Sequence, residues 1–182
     1  MQKVGAIAII IVYILVLIAG AYNCYISFSY PIKYTEQIEE VCTTFDIPKS
    51  MFCALINTES SFNPNAKSSA GAIGLTQILP STAEYICVKN NLDYSNFDLY
   101  NPDDNIYLGS MYLRYLFDRF DNRYTALCAY NAGETIVRSW LNNTKYSYDK
   151  ISLYNIPYNE TDNYIKKIKD AEQVYLKFYK LN

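Results

Sequence analysis

One carboxylate stands where a core residue belongs. Met51, Phe52, Leu55 and Ile56 recur at the i, i+1, i+4, i+5 spacing of a buried helical stripe, and the next step of that stripe is Glu59. Glu59 is therefore expected to face inward. A Glu is rarely buried unless it is paired or functional. Two readings follow from the spacing: a carboxyl salt-bridged to a distant Arg or Lys, or a proton donor whose charged form is disfavoured by desolvation. Periodicity alone supports both equally. Beyond Glu59, residues 60–74 form a loop rich in Ser, Asn and Gly, with Asn63-Pro64 and Gly71 as breakers. No Asp or Glu follows Glu59 until Glu84, and Lys67 is the only charge between them.

The chain has no His among its 182 residues. Ser-His-Asp and Cys-His catalysis and His-containing zinc sites are thereby excluded within it. Acid–base work falls to Asp, Glu, Lys, Tyr or Cys. The net charge of −2, with no long run of one sign, is not the footprint of a nucleic-acid binder. The 5 Cys follow no CxxC metal spacing, and no metal or cofactor is expected. Cys53 and Cys128 lie in apolar surroundings and read as small buried hydrophobes. The odd count argues against a complete disulfide framework and leaves room for one or two bridges. Most of the 20 Tyr should pack at the core edge.

The elements that must position Glu59 read as helices. Residues 34–45 form a first amphipathic helix, and Pro48 opens the helix that carries Glu59. Pro80 starts another, running to about Asn90. Pro102-Asp103-Asp104 caps a long helix to Phe120, with acidic residues at its positive end. Shorter helices follow at 124–131 and 135–141, then a polar, Tyr-rich connection over 142–158. Thr161 to Lys180 is the last helix. The soluble part reads as mainly α, six or seven helices with at most a token of strand.

Ahead of that domain, Val4 to Ala21 is an uncharged run of 18 residues. As a helix it is about 27 Å long, close to the ~30 Å hydrocarbon core of a bilayer. A cleaved signal peptide, with Ala19-Gly20-Ala21 as cleavage site, is the competing reading; its apolar region is usually shorter, so length favours an anchor. Lys3, the only charge before the run, places the N-terminus in the cytoplasm and the rest outside. The expected division is a transmembrane anchor or signal segment over 1–24, a linker over 25–32 stopped by Pro31, and a globular domain over 33–182.

Three further stretches bear on the identity of the site. They are Glu59-Ser60-Ser61-Phe62-Asn63-Pro64 with Ser68 through Pro80 (SSAGAIGLTQILP), Ala129-Tyr130-Asn131-Ala132-Gly133, and Ile156-Pro157-Tyr158-Asn159-Glu160-Thr161 followed by Tyr164. In this order and at these separations they resemble the soluble lytic transglycosylase family. Asn101-Pro102, Asn105-Ile106 and Gly109 are similar to the family's middle segment. The resemblance covers roughly residues 34–179. Thr76 and Leu79 stand where the family commonly has Met, and Cys128 where Ala is frequent.

The resemblance implies a lysozyme-like helical fold acting on peptidoglycan glycan strands at the β-1,4 link from N-acetylmuramic acid to N-acetylglucosamine. It assigns Glu59 as the catalytic acid. It places Ser68, Gln77, Tyr130, Asn131 and Glu160 at the substrate. Each has a structural alternative: Tyr130 as a core Tyr, Ser68 and Gln77 as braces of the loop, Asn131 as a helix-end residue, Glu160 as a structural partner. The implied protein is a lyase at the cell membrane, single-pass, with its catalytic domain outside the cytoplasm, or one secreted after signal cleavage. A goose-type-lysozyme-like muramidase is a second reading. It needs another carboxylate, from Asp93, Asp98, Asp103 or Asp104, ~6.5–9.5 Å from Glu59. A non-catalytic glycan-binding module of a cell-wall or secretion complex is a third.

Overall fold

The computed structural model describes residues 2–181, with the side chains of residues 2–8, Lys3 among them, outside the described set. In order the helices are α1 (Gln2–Ser29), α2 (Thr35–Phe45), α3 (Lys49–Ser60), α4 (Pro80–Lys89), α5 (Pro102–Phe117), α6 (Arg123–Ala132), α7 (Glu134–Leu141) and α8 (Asn159–Tyr179). A 3-10 turn at Tyr94–Asn96 lies between α4 and α5. The only extended pairing among the described residues is two isolated antiparallel bridges, Lys67 with Ile73 and Ile73 with Ile78.

The helix stops are chemical. Pro80 and Pro102 open α4 and α5, and Asn101 and Asn122 cap α5 and α6 by accepting from two backbone N–H groups each. The helix carrying Glu59 is more deeply set than a stripe would be. Ser50 through Ile56 are all buried, so α3 is enclosed on every side at its middle. Its most extensive neighbour is α8, and α2 packs alongside. Phe52, Leu55, Ile56, Leu113, Ala126, Ile168 and Tyr175 meet in this main core. A smaller core joins α4 to α5 through Ala83, Ile86, Cys87, Leu108 and Met111.

All five cysteines are free thiols, and only Cys24 is exposed. Cys53 and Cys128 are core residues, and burial pushes both thiols up to about 12.

The apolar α1 does not stop before residue 25. It runs on through residues 25–29 of the segment 25–32 expected as a linker. Nothing in that stretch breaks a helix, and termination waits for Pro31, which disfavours the helical conformation at the residue before it. The window Ile9–Ser29 has mean hydropathy 2.3 and is almost wholly exposed, so by length and composition it can cross a membrane.

Candidate active site

Glu59 sits in the last turn of α3, and the chain turns away directly behind it. Ser61 (φ 51°) and Phe62 (φ 60°) are both left-handed, which ends the helix and drives Phe62 fully into the core. The Ser60 hydroxyl donates to the Leu75 carbonyl at 2.8 Å, tying this helix end to the returning loop. A buried helix is thus cut off where its one carboxylate comes into the open.

The loop opposite Glu59 is held from beneath by Asn105. This buried side chain accepts from Thr76 N (2.9 Å) and Thr76 Oγ1 (2.8 Å), and donates to the carbonyls of Ile73 (2.9 Å) and Leu99 (2.8 Å). The loop backbone must come close for this. Gly74 is at φ +76°, and a Cβ there would overlap the Asn105 amide and the Leu99 carbonyl. A Cβ on Gly109 would overlap the Thr76 side chain. Thr76, where Met is common, uses its hydroxyl in the Asn105 lock.

Between loop, helix end and the α6–α7 corner lies a cavity of about 470 Å³. Its walls include Glu59, Ser68, Gln77, Tyr130, Asn131 and Glu160, together with Ile78, Leu79, Thr82, Tyr112 and Gly133. The six residues chosen from sequence therefore share one groove. A second cavity of about 360 Å³ adjoins it, with Glu59, Asn131 and Glu160 common to both and Asn163, Tyr164 and Lys167 beyond. A chain molecule has room on both sides of Glu59.

Glu59 keeps a partial opening to the groove. Desolvation by the packed protein nevertheless raises its pKa from 4.5 to about 7, while the Tyr164 hydroxyl, donating to Oε1 at 2.8 Å, opposes the rise. The shift corresponds to about 3 kcal/mol disfavouring the carboxylate. No cation pairs with Glu59 among the described residues, which removes the salt-bridge reading. The carboxyl titrates near neutrality, with Oε1 held by Tyr164 and the residue lining both cavities.

The other residues divide by how much of their polarity the protein consumes. Tyr130 Oη donates to the Thr76 carbonyl at 2.9 Å, and its ring lies against Tyr112 with centroids 5.2 Å apart. The hydroxyl on Glu59 comes from Tyr164, which follows the third motif near the start of α8. Its position after Glu160-Thr161 was the available signal. The Gln77 amide donates to the carbonyls of Ala66 (3.1 Å) and Gly74 (3.0 Å), bracing the loop and leaving its oxygen. Ser68 Oγ accepts from Ala72 N at 3.0 Å and keeps its proton for another partner. Asn131 Oδ1 accepts from the buried Thr161 hydroxyl at 2.7 Å, joining the end of α6 to the start of α8. Glu160 is exposed at the groove's edge.

The four aspartates considered as second carboxylates are elsewhere. None of Asp93, Asp98, Asp103 and Asp104 lines either cavity at Glu59. Asp93 and Asp98 accept from nearby backbone, and Asp104 accepts from Asp98 N at 2.8 Å.

A buried helix ending in a desolvated Glu, facing a Gly-hinged loop and a Tyr-bearing helix, is the lysozyme-like arrangement expected from the motifs. The chain belongs to the Transglycosylase SLT domain family, which matches residues 36–153. It is 34% identical over 165 residues to the soluble lytic murein transglycosylase of Escherichia coli (strain K12), covering 88% of this chain and 26% of that protein. It is 31% identical over 166 residues to the membrane-bound lytic murein transglycosylase C of Glaesserella parasuis, covering 79% of this chain and 46% of the relative. The crystal structure of the 70 kDa soluble lytic transglycosylase from Escherichia coli superposes with a TM-score of 0.75 at 31% identity, over 89% of this chain and 27% of that one. The chain thus spans about a quarter of its soluble relatives and under half of the membrane-bound one.

Proposed function

We propose that this domain is a peptidoglycan lytic transglycosylase, cutting the β-1,4 bond from N-acetylmuramic acid to N-acetylglucosamine. The observation that carries the reading is Glu59: a carboxyl lifted to about 7 by burial, with no cation paired to it among the described residues, between two adjoining cavities. The family of the domain and the names of its relatives support the same substrate.

The chemistry follows from that one group. The protonated Glu59 gives its proton to the glycosidic oxygen as the bond to C1 breaks. The resulting carboxylate takes the proton of the sugar's own C6 hydroxyl as that oxygen bonds to C1. The product is a 1,6-anhydro muramic acid end, no water is consumed, and Glu59 regains its starting state. Intramolecular attack has a high effective molarity, so a second protein carboxylate is unnecessary. Tyr164, whose own pKa is driven well above 10 by burial, remains a donor in both half-steps and steadies Oε1. Ser68, Gln77, Tyr130, Asn131 and Glu160 line the sugar-binding walls.

A hydrolytic reading has one observation in its favour: Glu160 is a second carboxylate on the same groove. In that reading Glu160 would activate a water. Digestion of purified peptidoglycan by the full chain in detergent, with mass spectrometry of the sugars, separates the two. Anhydro ends support the transglycosylase. Reducing ends without anhydro ends would make the protein a hydrolase.

The protein is further proposed to cross the cytoplasmic membrane once, through Ile9–Ser29, with the domain outside. The apolar span and the membrane-bound relative support this. Protease added to intact spheroplasts should then degrade the domain; protection would reverse the topology.

A further inference from the structure

The end of α1 is built into the domain. Ile26 is buried, and Tyr30 and Ile32 pack against the main core. Two hydroxyls from the last turns of α8 close on the chain as it leaves α1: Tyr175 Oη donates to the Pro31 carbonyl and Tyr179 Oη to the Tyr30 carbonyl, both at 2.9 Å. Tyr30 stands edge-on to Tyr175 with centroids 6.3 Å apart, and Tyr22, inside the apolar span, meets Phe178 at 5.8 Å. A flexible tether would make none of these contacts.

Around this seam the surface is apolar and aromatic. On α1, Tyr25 is 59% and Phe28 89% exposed. On α8, Leu176 and Phe178 are each 37% exposed, about 80° to either side of the line joining the buried Tyr175 and the half-buried Tyr179. Lys177 and Lys180 accompany them, with Lys177 Nζ over the Phe178 ring at 5.6 Å. Aromatic rings with an apolar body and basic side chains that reach past it are the composition of a bilayer interface.

We infer that the C-terminal turns of α8, continuous with the end of α1, form a seat for the lipid interface, so that the catalytic domain docks on the bilayer. The inference rests on the proposed membrane crossing by α1. The continuity of the patch with a helix able to span the membrane identifies its occupant as lipid. The same helix that carries the seat carries the catalytic contact. Tyr164, on Glu59, is 14 residues before Phe178 on α8, about 21 Å of helix. α8 is then a strut that holds Glu59 at a fixed height, with about 21 Å as its upper limit above the seat. Glycan strands passing close to the membrane are within reach, and strands farther out are not.

Nitroxide labelling of the full chain in vesicles of mixed neutral and anionic phospholipid tests this. The natural Cys24 is the only exposed thiol, so labelling it reports the depth of α1. Cys24→Ser with Phe178→Cys moves the label to the seat, and Cys24→Ser with Leu176→Cys supplies a second position in case the first variant unfolds. Collisions with oxygen should exceed those with a water-soluble nickel chelate at Cys24 and at the seat. Oxygen-dominated collisions at Cys24 with chelate-dominated collisions at both seat positions would mean a tethered domain and overturn the seat. Chelate-dominated collisions at Cys24 itself would overturn the membrane crossing, and the seat with it.

Discussion

Tyr164 Oη donates to Glu59 Oε1 across 2.8 Å, joining residues 105 positions apart. The bond opposes burial, because a donated hydrogen bond favours the charged carboxylate. Glu59 is thus held between two terms of opposite sign, and the residual leaves it titrating near neutrality.

Removing the donor shifts that balance in a fixed direction. In Tyr164→Phe the carboxylate loses its hydrogen bond and desolvation remains, so the pKa of Glu59 rises. The first chemical step needs the protonated form, so the alkaline limb of kcat/KM, near pH 7 in the parent, should move up by about half a unit to one unit. A pH–rate profile on soluble glycan fragments measures it. A limb that stays in place or moves down would show that Tyr164 does not set this titration.

Glu59→Gln should remove general-acid catalysis, a loss of about 10²–10⁴ in rate, and should also change stability in a pH-dependent way. With a folded pKa of about 7 and an ordinary value of 4.5, the native state binds more protons than the unfolded chain between those limits. Stability from this group is present below pH 4.5 and is lost as pH rises to 7. Gln has no such loss. Against the parent, the variant should gain up to about 3 kcal/mol at pH 8 relative to its standing at pH 4. Thermal unfolding at the two pH values reads this out.

Asn105 is a structural test of the loop. Its four hydrogen bonds lock the Thr76 turn from below. Asn105→Ala strands a buried N–H and two carbonyls, costing about 3–5 kcal/mol by the usual penalties for unsatisfied groups. A fall in Tm of roughly 10 °C is expected. A change within 2 °C would show that the loop has another support.

What could be read from sequence here depended on whether the signal was local. Pro48, Pro80 and Pro102 and the Asn caps act on their own neighbours, so the helices were legible. Glu59 was visible because a carboxylate interrupts an apolar repeat. Its partner was not, since Tyr164 shares the spacing of a core residue and only the packing of α8 on α3 aims its hydroxyl. Asn105 had the same difficulty: its type says polar, while its four partners lie at Ile73, Thr76 and Leu99. The seam between α1 and the domain has no local signal, because Tyr30 and Pro31 are held by Tyr175 and Tyr179, nearly 150 positions away.

The thiols offer a direct check on burial. Cys42, Cys53 and Cys128 are enclosed and pushed up to about 12, Cys87 is buried and raised, and Cys24 alone is exposed. A thiol reagent reacts through the thiolate, so three of these sites are doubly protected at pH 8. Native protein in detergent should take up no more than one equivalent of a maleimide, located at Cys24 by peptide mass, and five equivalents once unfolded. Rapid native labelling at Cys53 or Cys128 would place α3 or α6 outside the core.

The brace between α6 and α8 leads to the last expectation. Thr161 Oγ1 donates to Asn131 Oδ1 at 2.7 Å, and the two residues bring together the Tyr130 segment and the helix start that bears Glu160 and Tyr164. Thr161→Val keeps the volume, removes the donor and leaves the Asn131 oxygen unpaired, costing about 1–3 kcal/mol. Asn131 also lines both cavities. If its amide must be aimed by Thr161 to hold the sugar, KM should rise several-fold while the pH limb set by Glu59 stays where it is. Thr161→Ser, which restores the hydroxyl, should recover most of the KM. A variant that loses stability with an unchanged KM would confine Thr161 to holding two helices together and remove Asn131 from the binding wall.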